Sequence, residues 1–183
     1  MNIAGRPLLG RVIDRVKGAK EVSKLIVATS IQKDDDAIED FCIKEGIDCF
    51  RGNLVNVYKR FKDIVVKEKV ENFIRISGDS PLIDSELIDL AVKFSYKEKY
   101  DLITNIFPRT FPKGMSTEII SRKLLQTNKG KISDKYDLEN ITSFFYKNEK
   151  KFNIINFASN KRNWPQYNLS IDNKYDSEML KKV

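Results

Sequence analysis

Short apolar runs and longer segments of helical periodicity alternate along the first hundred residues, and this alternation constrains the fold more than any other feature. The apolar runs have the length of strands and predict strands at 25–28, 47–50, 73–76 and 101–104. Apolar residues at helical spacing predict helices at 7–18, 34–46 and 54–69 and a helix that begins at Asp84. Such alternation is typical of mainly parallel sheets with crossover helices. We therefore predict an α/β fold, a three-layer α/β/α sandwich with a mainly parallel, Rossmann-like sheet.

The pattern changes after residue 106. A loop with two prolines and a glycine, PRTFPKG at 108–114, leads into further short elements. We predict strands at 118–120, 152–157 and 169–171 and helical stretches at 123–127 and 138–146. Because the sequence holds neither an internal repeat nor a low-complexity linker, we expect a single domain over residues 1–183.

The amino-terminal end departs from the usual layout of an α/β chain. Such chains commonly open with a strand, and the loop after that strand binds phosphate at the start of the next helix. Here the first predicted helix begins at Pro7, almost directly after Met1. We therefore expect that the chain is truncated at its amino terminus or lacks this element, and truncation at the carboxyl terminus is left open.

The charge pattern bears on the class of partner. The net charge is +7, and 33 Lys and Arg residues are interleaved with 26 Asp and Glu residues. Interleaved charges are typical of solvated helix faces, whereas nucleic-acid-binding domains concentrate their basic residues on one surface. Phosphorylated small molecules are therefore the favoured partners, and a nucleic-acid-binding domain ranks last among the functions considered.

Residue types that are missing or rare exclude several kinds of chemistry. The sequence has no histidine, which excludes Ser-His-Asp and Cys-His catalysis and histidine-ligated metal sites. Cys42 and Cys49 are too few for a structural zinc site, and we interpret them as reduced core thiols. Because we find neither an apolar run of membrane-spanning length nor a signal peptide, we expect a cytoplasmic protein with no membrane partner.

The stretch RISGDSPLID at 75–84 contains an acid, Asp79, in the loop after a predicted strand. Open α/β sheets bind ligands beyond the carboxyl ends of their strands, which favours a functional role. An aspartate that bonds its own backbone in a turn is the alternative.

Seven motifs occur in a characteristic order. They are AGRPLLGRVIDRV at 4–16, LIVATS at 25–30, DDDAIEDF at 34–41, FRG at 50–52, RISGDSPLID at 75–84, PKGMSTEII at 112–120 and LSID at 169–172. Together they resemble the cytidylyltransferase family related to spore coat polysaccharide biosynthesis proteins, cousins of the acylneuraminate and 3-deoxy-manno-octulosonate cytidylyltransferases. The resemblance covers most of the chain, but the family's amino-terminal strand and its glycine-serine loop, which grips the triphosphate, are not in this sequence.

This resemblance implies a nucleotidyltransferase that transfers CMP from CTP to a sugar, often an acidic one, for surface polysaccharide biosynthesis, and releases pyrophosphate. Such a transfer depends on positioning and on neutralising negative charge, which agrees with the absence of histidine. The resemblance also implies Mg²⁺ as cofactor and CTP and a sugar as partners, and dimers are frequent in the family. The identity of the sugar is left open. The alternative is an inactive remnant of the fold that binds a nucleotide sugar or a protein.

The resemblance also implies metal ligands. Asp79 and Asp172 would hold Mg²⁺, which prefers oxygen ligands and is commonly held by one or two carboxylates together with substrate phosphates. For Asp172 the alternative is helix capping ahead of residues 173–180.

Further positions match the substrate sites of the family. The nucleotide-binding candidates are Arg51, Arg60, Ser77 and Gly78. The sugar-binding candidates are Asn105, Lys113 and Glu118, of which the Lys113 ammonium would suit a sugar carboxylate. Alternatively, Arg60 is a solvated helix residue, and the three sugar-binding candidates belong to an ordinary polar loop.

Overall fold

The computed structural model describes residues 1–3, 5–97, 99–128, 130–161, 164–173, 176 and 178. The described strands are β1 (Asn2–Ile3), β2 (Arg6–Pro7), β3 (Ile26–Ser30), β4 (Asp48–Gly52), β5 (Asn72–Arg75), β6 (Leu102–Thr104), β7 (Glu118–Ser121) and β8 (Ile154–Asn156). The described α-helices are α1 (Leu8–Lys17), α2 (Asp36–Glu45), α3 (Val57–Glu68), α4 (Ser85–Ser95), α5 (Arg122–Thr127), α6 (Lys135–Glu139) and α7 (Ser143–Lys147). Short 3-10 turns lie at Lys33–Asp35, Glu149–Lys151 and Trp164–Gln166.

The chain forms two compact units. The first comprises Met1–Ser23, Ile74–Ile119 and Ile154–Val183, and the second comprises Lys24–Phe73 and Ile120–Asn153. The single domain expected from the sequence stays a prediction.

Strands β6 and β8 of the first unit are parallel neighbours in a four-stranded sheet of order β5-β7-β6-β8. Buried residues of α4 pack on this sheet in a core of Leu87, Ala91, Val92, Ile103, Phe111, Ile119 and Phe157. A second cluster joins α1 and α4 through Val12, Ala19, Ile83 and Ile88. Each large aliphatic or aromatic side chain so buried contributes roughly 1.5–3 kcal/mol of transfer free energy.

The second unit is built on β3 and β4, which pair in parallel from Ile26 opposite Asp48 to Ser30 opposite Gly52. Helix α2 connects these strands and ends at Gly46, whose φ of 64° is the left-handed conformation expected of a glycine that ends a helix.

The two cysteines lie on α2 and β4 of the second unit, and both are free. Cys42 is fully buried, and burial raises the pKa of its thiol to about 12. A thiol with such a pKa remains protonated at neutral pH, which agrees with the predicted core role.

The predicted alternation of strands and helices is confirmed, with three local differences. Helix α3 begins at Val57 because the side chain of Asn56 caps it by accepting a bond from the Lys59 amide, so Leu54 lies outside the helix and is exposed. The single stretch predicted at 138–146 is two short helices, α6 and α7. The strand predicted at 169–171 is wrong, because this backbone bonds to two loops instead of a strand.

Described helices are short. The longest of them, α3, has 12 residues. Within the described ranges, no helix has the length and apolar character that crossing a bilayer requires.

Candidate active site

A short segment near the carboxyl terminus, residues 167–171, holds the loop that contains Lys113. The Lys113 amide donates to the Tyr167 carbonyl at 3.1 Å, and the Leu169 amide donates back to the Lys113 carbonyl at 2.7 Å. Two bonds fix the backbone of this one residue. The loop 108–114 therefore has a defined position despite its prolines and its lack of regular structure.

Gly114 makes this close approach possible. Its φ is +91°, and a Cβ atom there would lie 2.5 Å from the Leu169 carbonyl carbon and 2.6 Å from the Ser170 amide nitrogen. Real Cβ atoms do not approach backbone so closely, and side chains disfavour this φ. Only glycine fits.

The same segment joins the two predicted metal ligands. The Ile171 amide donates to the Asp79 carbonyl at 2.8 Å, and Asp172 follows Ile171 directly. The loop after β5 and the end of the 167–171 segment are thus neighbours. The structure brings the two acids together although they are far apart in the sequence.

Asp172 already has a cationic partner. Its Oδ2 atom lies 2.5 Å from the Lys113 Nζ atom and accepts a longer bond of 3.5 Å from the Ser170 hydroxyl. Both ends of the ion pair remain accessible, with 53% of the Lys113 side chain and 45% of the Asp172 side chain exposed. This carboxylate is open to solvent.

The capping role that was the alternative for Asp172 is taken by two neighbouring residues. Asn173 and Asp176 exchange the capping bonds: the Asp176 amide donates to Asn173 Oδ1, and the Asn173 amide donates to Asp176 Oδ2. The Asp172 side chain is engaged with Lys113 instead. Of the predicted helix 173–180, all residues except Asn173, Asp176 and Glu178 lie outside the described residues.

Asp79 is partly buried, and its neighbours leave room for a ligand. Its Oδ1 atom accepts a bond of 2.8 Å from the hydroxyl of Ser80, a buried residue that holds the carboxylate in place. Ser77 is partly exposed and Gly78 is exposed, with no atom within 4 Å of where a Gly78 Cβ would lie. The backbone of this loop can therefore be approached closely.

These donors suit a hard divalent cation. Among the described residues no group of three or more His, Cys, Asp or Glu side chains could hold a metal ion. One or two carboxylates are the protein ligands that Mg²⁺ uses when substrate phosphates and water complete its shell, and Asp79 and Asp172 lie on backbone segments that are bonded to each other. The residues present fit such an ion.

Asn105 lies inside the first unit. It is fully buried, and its Nδ2 atom donates to the Met115 carbonyl at 2.8 Å while its Oδ1 atom accepts from the Thr117 amide at 2.9 Å. Both the nitrogen and the oxygen of the Asn105 side chain are thus hydrogen-bonded to backbone groups. Asn105 thus positions the chain that leads from the Lys113 loop into β7.

Glu118 is fully buried too. Its Oε2 atom accepts a bond of 2.8 Å from Arg75 Nη1, which joins the neighbouring strands β7 and β5. Arg75 lies four residues before Asp79, so this ion pair anchors the strand from which the acidic loop departs. Sequence reasoning placed Glu118 in a sugar pocket and missed Arg75, although Arg75 opens the RISGDSPLID motif.

Arg109 is a second residue that sequence reasoning missed. Its guanidinium donates to the Ser116 hydroxyl at 3.2 Å and to the Pro112 carbonyl at 3.3 Å, across the loop that carries Lys113. The nearby Phe111 ring packs on Trp164, with ring centroids 5.9 Å apart. The only signal in the sequence was a basic residue within the PRTFPKG loop.

Arg51 lies in the second unit at the end of β4, and its guanidinium is occupied by protein groups. It forms ion pairs of 2.7 Å with Asp36 and Glu39 and donates to the Ser30 carbonyl at 2.9 Å and the Gln32 carbonyl at 2.8 Å. The bonds with Glu39 and then Asp36 raise the pKa of Arg51. This residue ties the end of β3 to the start of α2.

Arg60, on α3 of the same unit, has fewer partners. Its Nη1 atom donates to the Asn53 carbonyl at 3.3 Å, and its buried Nε atom has no partner among the described residues. The stem packs so closely over Gly52 that a Cβ atom there would lie 2.8 Å from Arg60 Cγ. Burial lowers the pKa of Arg60, and the nearby Asp35 charge opposes this effect. Arg60 is thus less engaged by protein groups than Arg51 is.

Comparisons with known proteins agree with the resemblance found in the motifs. A family model described as cytidylyltransferase matches residues 1–183. The spore coat polysaccharide biosynthesis protein SpsF of Bacillus subtilis is 32% identical over 184 residues, which cover 95% of this chain and 74% of that protein. An uncharacterized protein of Methanocaldococcus jannaschii is 30% identical over 155 residues, which cover 85% of this chain. This chain spans only 63% of the archaeal relative's length.

A solved structure of a cytidylyltransferase from Leptospira borgpetersenii matches 99% of this chain and 76% of its own, with a TM-score of 0.94 and 30% identity. The predicted α/β class with a Rossmann-like sheet is confirmed by this similarity.

Proposed function

The chain belongs to the cytidylyltransferase family, and we propose that it transfers CMP from CTP to a sugar, in particular an acidic sugar, for polysaccharide biosynthesis. The observation that carries the proposal is the bond between the Ile171 amide and the Asp79 carbonyl, because it places Asp172 beside Asp79. The relative named for spore coat polysaccharide biosynthesis supports the polysaccharide role. A cytoplasmic location, expected from the sequence, and a homodimer, implied by the resemblance, stay predictions.

In the proposed reaction a sugar hydroxyl oxygen attacks the α-phosphorus of CTP. A new phosphorus–oxygen bond forms, the bond from the α-phosphorus to the bridging oxygen breaks, and its electron pair leaves with pyrophosphate. The hydroxyl proton passes to solvent. A bound Mg²⁺ would neutralise phosphate charge, and Asp79 and Asp172 would hold it.

The remaining residues divide into those that contact substrates and those that position the site. Ser77 and Gly78 offer accessible backbone to the nucleotide, and Arg60 is kept as a nucleotide-binding candidate on the resemblance. The exposed Lys113 ammonium suits the carboxylate of a sugar acid.

Three candidate residues with occupied or buried side chains act indirectly in this proposal. Arg51 is proposed to hold the nucleotide-side loop of the second unit rather than to contact the base. Asn105 and Glu118 are proposed to shape the sugar side through the backbone and through Arg75, because neither side chain reaches the surface.

Calorimetric titration with CTP, with and without Mg²⁺, tests nucleotide binding, and a coupled pyrophosphate assay with a panel of neutral and acidic sugars tests transfer. We expect Mg²⁺-dependent binding, and a loss of transfer of at least about a hundredfold in Asp79→Asn and Asp172→Asn, as expected for the loss of several kcal/mol of charge stabilisation. The matched control is Asp63→Asn, which removes an exposed carboxylate of α3 that pairs with Lys59.

If no sugar releases pyrophosphate while a CMP-sugar still binds, the chain is a binding module of the same fold. If CTP binds equally well to both aspartate variants with Mg²⁺ present, the assignment of the metal ligands is wrong.

A further inference from the structure

We propose that Lys113 is a built-in counter-ion for Asp172, and that the divalent cation displaces its ammonium when it binds to this carboxylate. Metal binding to Asp172 and release of the Lys113 ammonium would then be a single exchange of cations. This inference rests on the proposed function, since it assumes that Asp172 is a metal ligand.

Lys113 and Asp172 form a direct ion pair. Lys113 Nζ lies 2.5 Å from Asp172 Oδ2, so the two charged groups are in direct contact. A cation bound to the same oxygen would experience strong repulsion from an ammonium held so close. Lys113 and a metal ion would therefore compete for the Oδ2 atom of Asp172.

The exposure of the pair gives the second argument. About half of each side chain is accessible to solvent, so separating the two charges strands neither in an apolar environment. Exposed ion pairs contribute only about 0.2–1 kcal/mol, which a divalent cation can overcome. The exchange is reversible on this account.

The backbone gives the third argument, because it keeps the displaced ammonium close to the site. The amide and carbonyl of Lys113 are bonded to Tyr167 and Leu169, and Gly114 lies directly against the backbone of Leu169 and Ser170. Only the flexible four-carbon stem can move. A released ammonium would thus remain beside the bound metal and nucleotide.

The exchange has a consequence for the second substrate. Before the metal arrives, Asp172 neutralises Lys113, and afterwards the ammonium is available to an anionic group of the sugar. Because coupling between two ligands is reciprocal, bound metal would strengthen binding of an acidic sugar, and the acidic sugar would strengthen binding of the metal. Neutral sugars would not share this coupling.

Binding of Mn²⁺ alone, followed by the electron paramagnetic resonance signal of the free ion, tests the exchange without nucleotide or catalysis. Lys113→Met removes the competing ammonium, so we expect Mn²⁺ to bind about two- to fivefold more tightly. Lys113→Arg keeps a cation and should bind Mn²⁺ as the wild type does. Asp172→Asn should bind much more weakly, and adding Lys113→Met to it should restore nothing.

Lys44→Met is the matched control, because Lys44 is an exposed lysine of α2 in the second unit. It should leave Mn²⁺ affinity unchanged, and circular dichroism should show that all variants fold. Equal affinity of wild type and Lys113→Met would overturn the proposal. The proposal would also be overturned if Lys113→Met raised Mn²⁺ affinity by the same factor in the wild type and in Asp172→Asn, because such a gain would reflect net charge alone. Failure to detect CMP transfer would overturn the proposed function and leave the exchange result standing.

Discussion

The backbone amide of Ile171 donates to the carbonyl of Asp79 at 2.8 Å, which joins two loops separated by more than half of the chain. Neither residue is in a described helix or strand. The bond matters because Asp172 follows Ile171, so the position of one acid depends on the backbone of the other. The site is therefore sensitive to changes in the 167–171 segment that touch no carboxylate.

Gly114→Ala should destabilise the protein and weaken the site together. The new methyl group would meet the backbone of Leu169 at 2.5 Å, and the residue would be held at a φ of +91°. We expect the free energy of unfolding to fall by roughly 2–4 kcal/mol, the sum of backbone strain and overpacking. Urea unfolding measures the loss, and Mg²⁺-dependent CTP binding should weaken in the same variant.

Gly78→Ala is the matched control for that change, because no atom lies within 4 Å of its future Cβ. Its stability should change by less than about 0.5 kcal/mol, as is usual at exposed positions. If Gly114→Ala and Gly78→Ala lowered the free energy of unfolding equally, the role assigned to the close approach at Gly114 would be contradicted.

The backbone partners of the 167–171 segment could not be predicted from the sequence. Leu169 and Ile171 alternate with polar residues as strand residues do, which produced the wrong strand prediction. Their amides instead bond the carbonyls of Lys113 and Asp79. Periodicity reports which side chains are apolar, but it does not identify the partner of a backbone amide, and here the partners are loops.

The contacts of the two candidate arginines, Arg51 and Arg60, also could not be read from the sequence. A basic residue beside Gly52 made Arg51 the favoured nucleotide ligand, yet its charge is neutralised by Asp36 and Glu39 from the preceding helix. The motif gave the position but not the contacts. Arg60, which the pattern could not distinguish from a solvated helix residue, makes one hydrogen bond, to the Asn53 carbonyl, and its buried Nε atom has no partner among the described residues.

Arg60→Gln should therefore lower CTP affinity more than Arg51→Gln does. Loss of one hydrogen bond between a guanidinium and the nucleotide costs roughly 1.5–3 kcal/mol, which corresponds to about tenfold or more in the dissociation constant. Arg51→Gln should chiefly lower the free energy of unfolding, because its partners are protein groups. Calorimetry and urea unfolding of both variants separate the effects, and equal CTP affinities would refute this division.

Glu118→Gln should be strongly destabilising. It leaves the partly buried Arg75 guanidinium without its carboxylate inside the sheet of the first unit, and breaking a buried pair in this way costs about 3–5 kcal/mol. Adding Arg75→Met should restore part of the loss, because no unpaired charge then remains. Urea unfolding of the two single variants and the double variant measures the coupling.

Lys59→Met is a suitable comparison for that pair, because it breaks an exposed ion pair with Asp63 one helical turn away. We expect at most about 0.5 kcal/mol from this change. Additive effects of Glu118→Gln and Arg75→Met would show that the buried contact contributes little.

Asp35 should make stability depend on pH in the acid range. Its carboxylate accepts bonds from the Ser30 amide at 2.9 Å and the Thr29 hydroxyl at 2.8 Å. Hydrogen bonding by Ser30 is the main cause that holds the pKa of Asp35 below its usual value of 3.8, whereas burial acts in the opposite direction. A folded-state pKa below the unfolded value means that the charged form stabilises the fold. This contribution is complete above the unfolded pKa and is lost as the pH falls through the lower folded value.

Asp35→Asn removes this titration, so its free energy of unfolding should change less than that of the wild type between pH 5 and pH 3, a window around the unfolded aspartate pKa of about 3.9. Urea unfolding at several pH values measures the difference. Asp34→Asn, at the exposed neighbouring acid, should follow the wild-type curve. If Asp35→Asn also runs parallel to the wild type, the bonds from Thr29 and Ser30 do not stabilise the carboxylate.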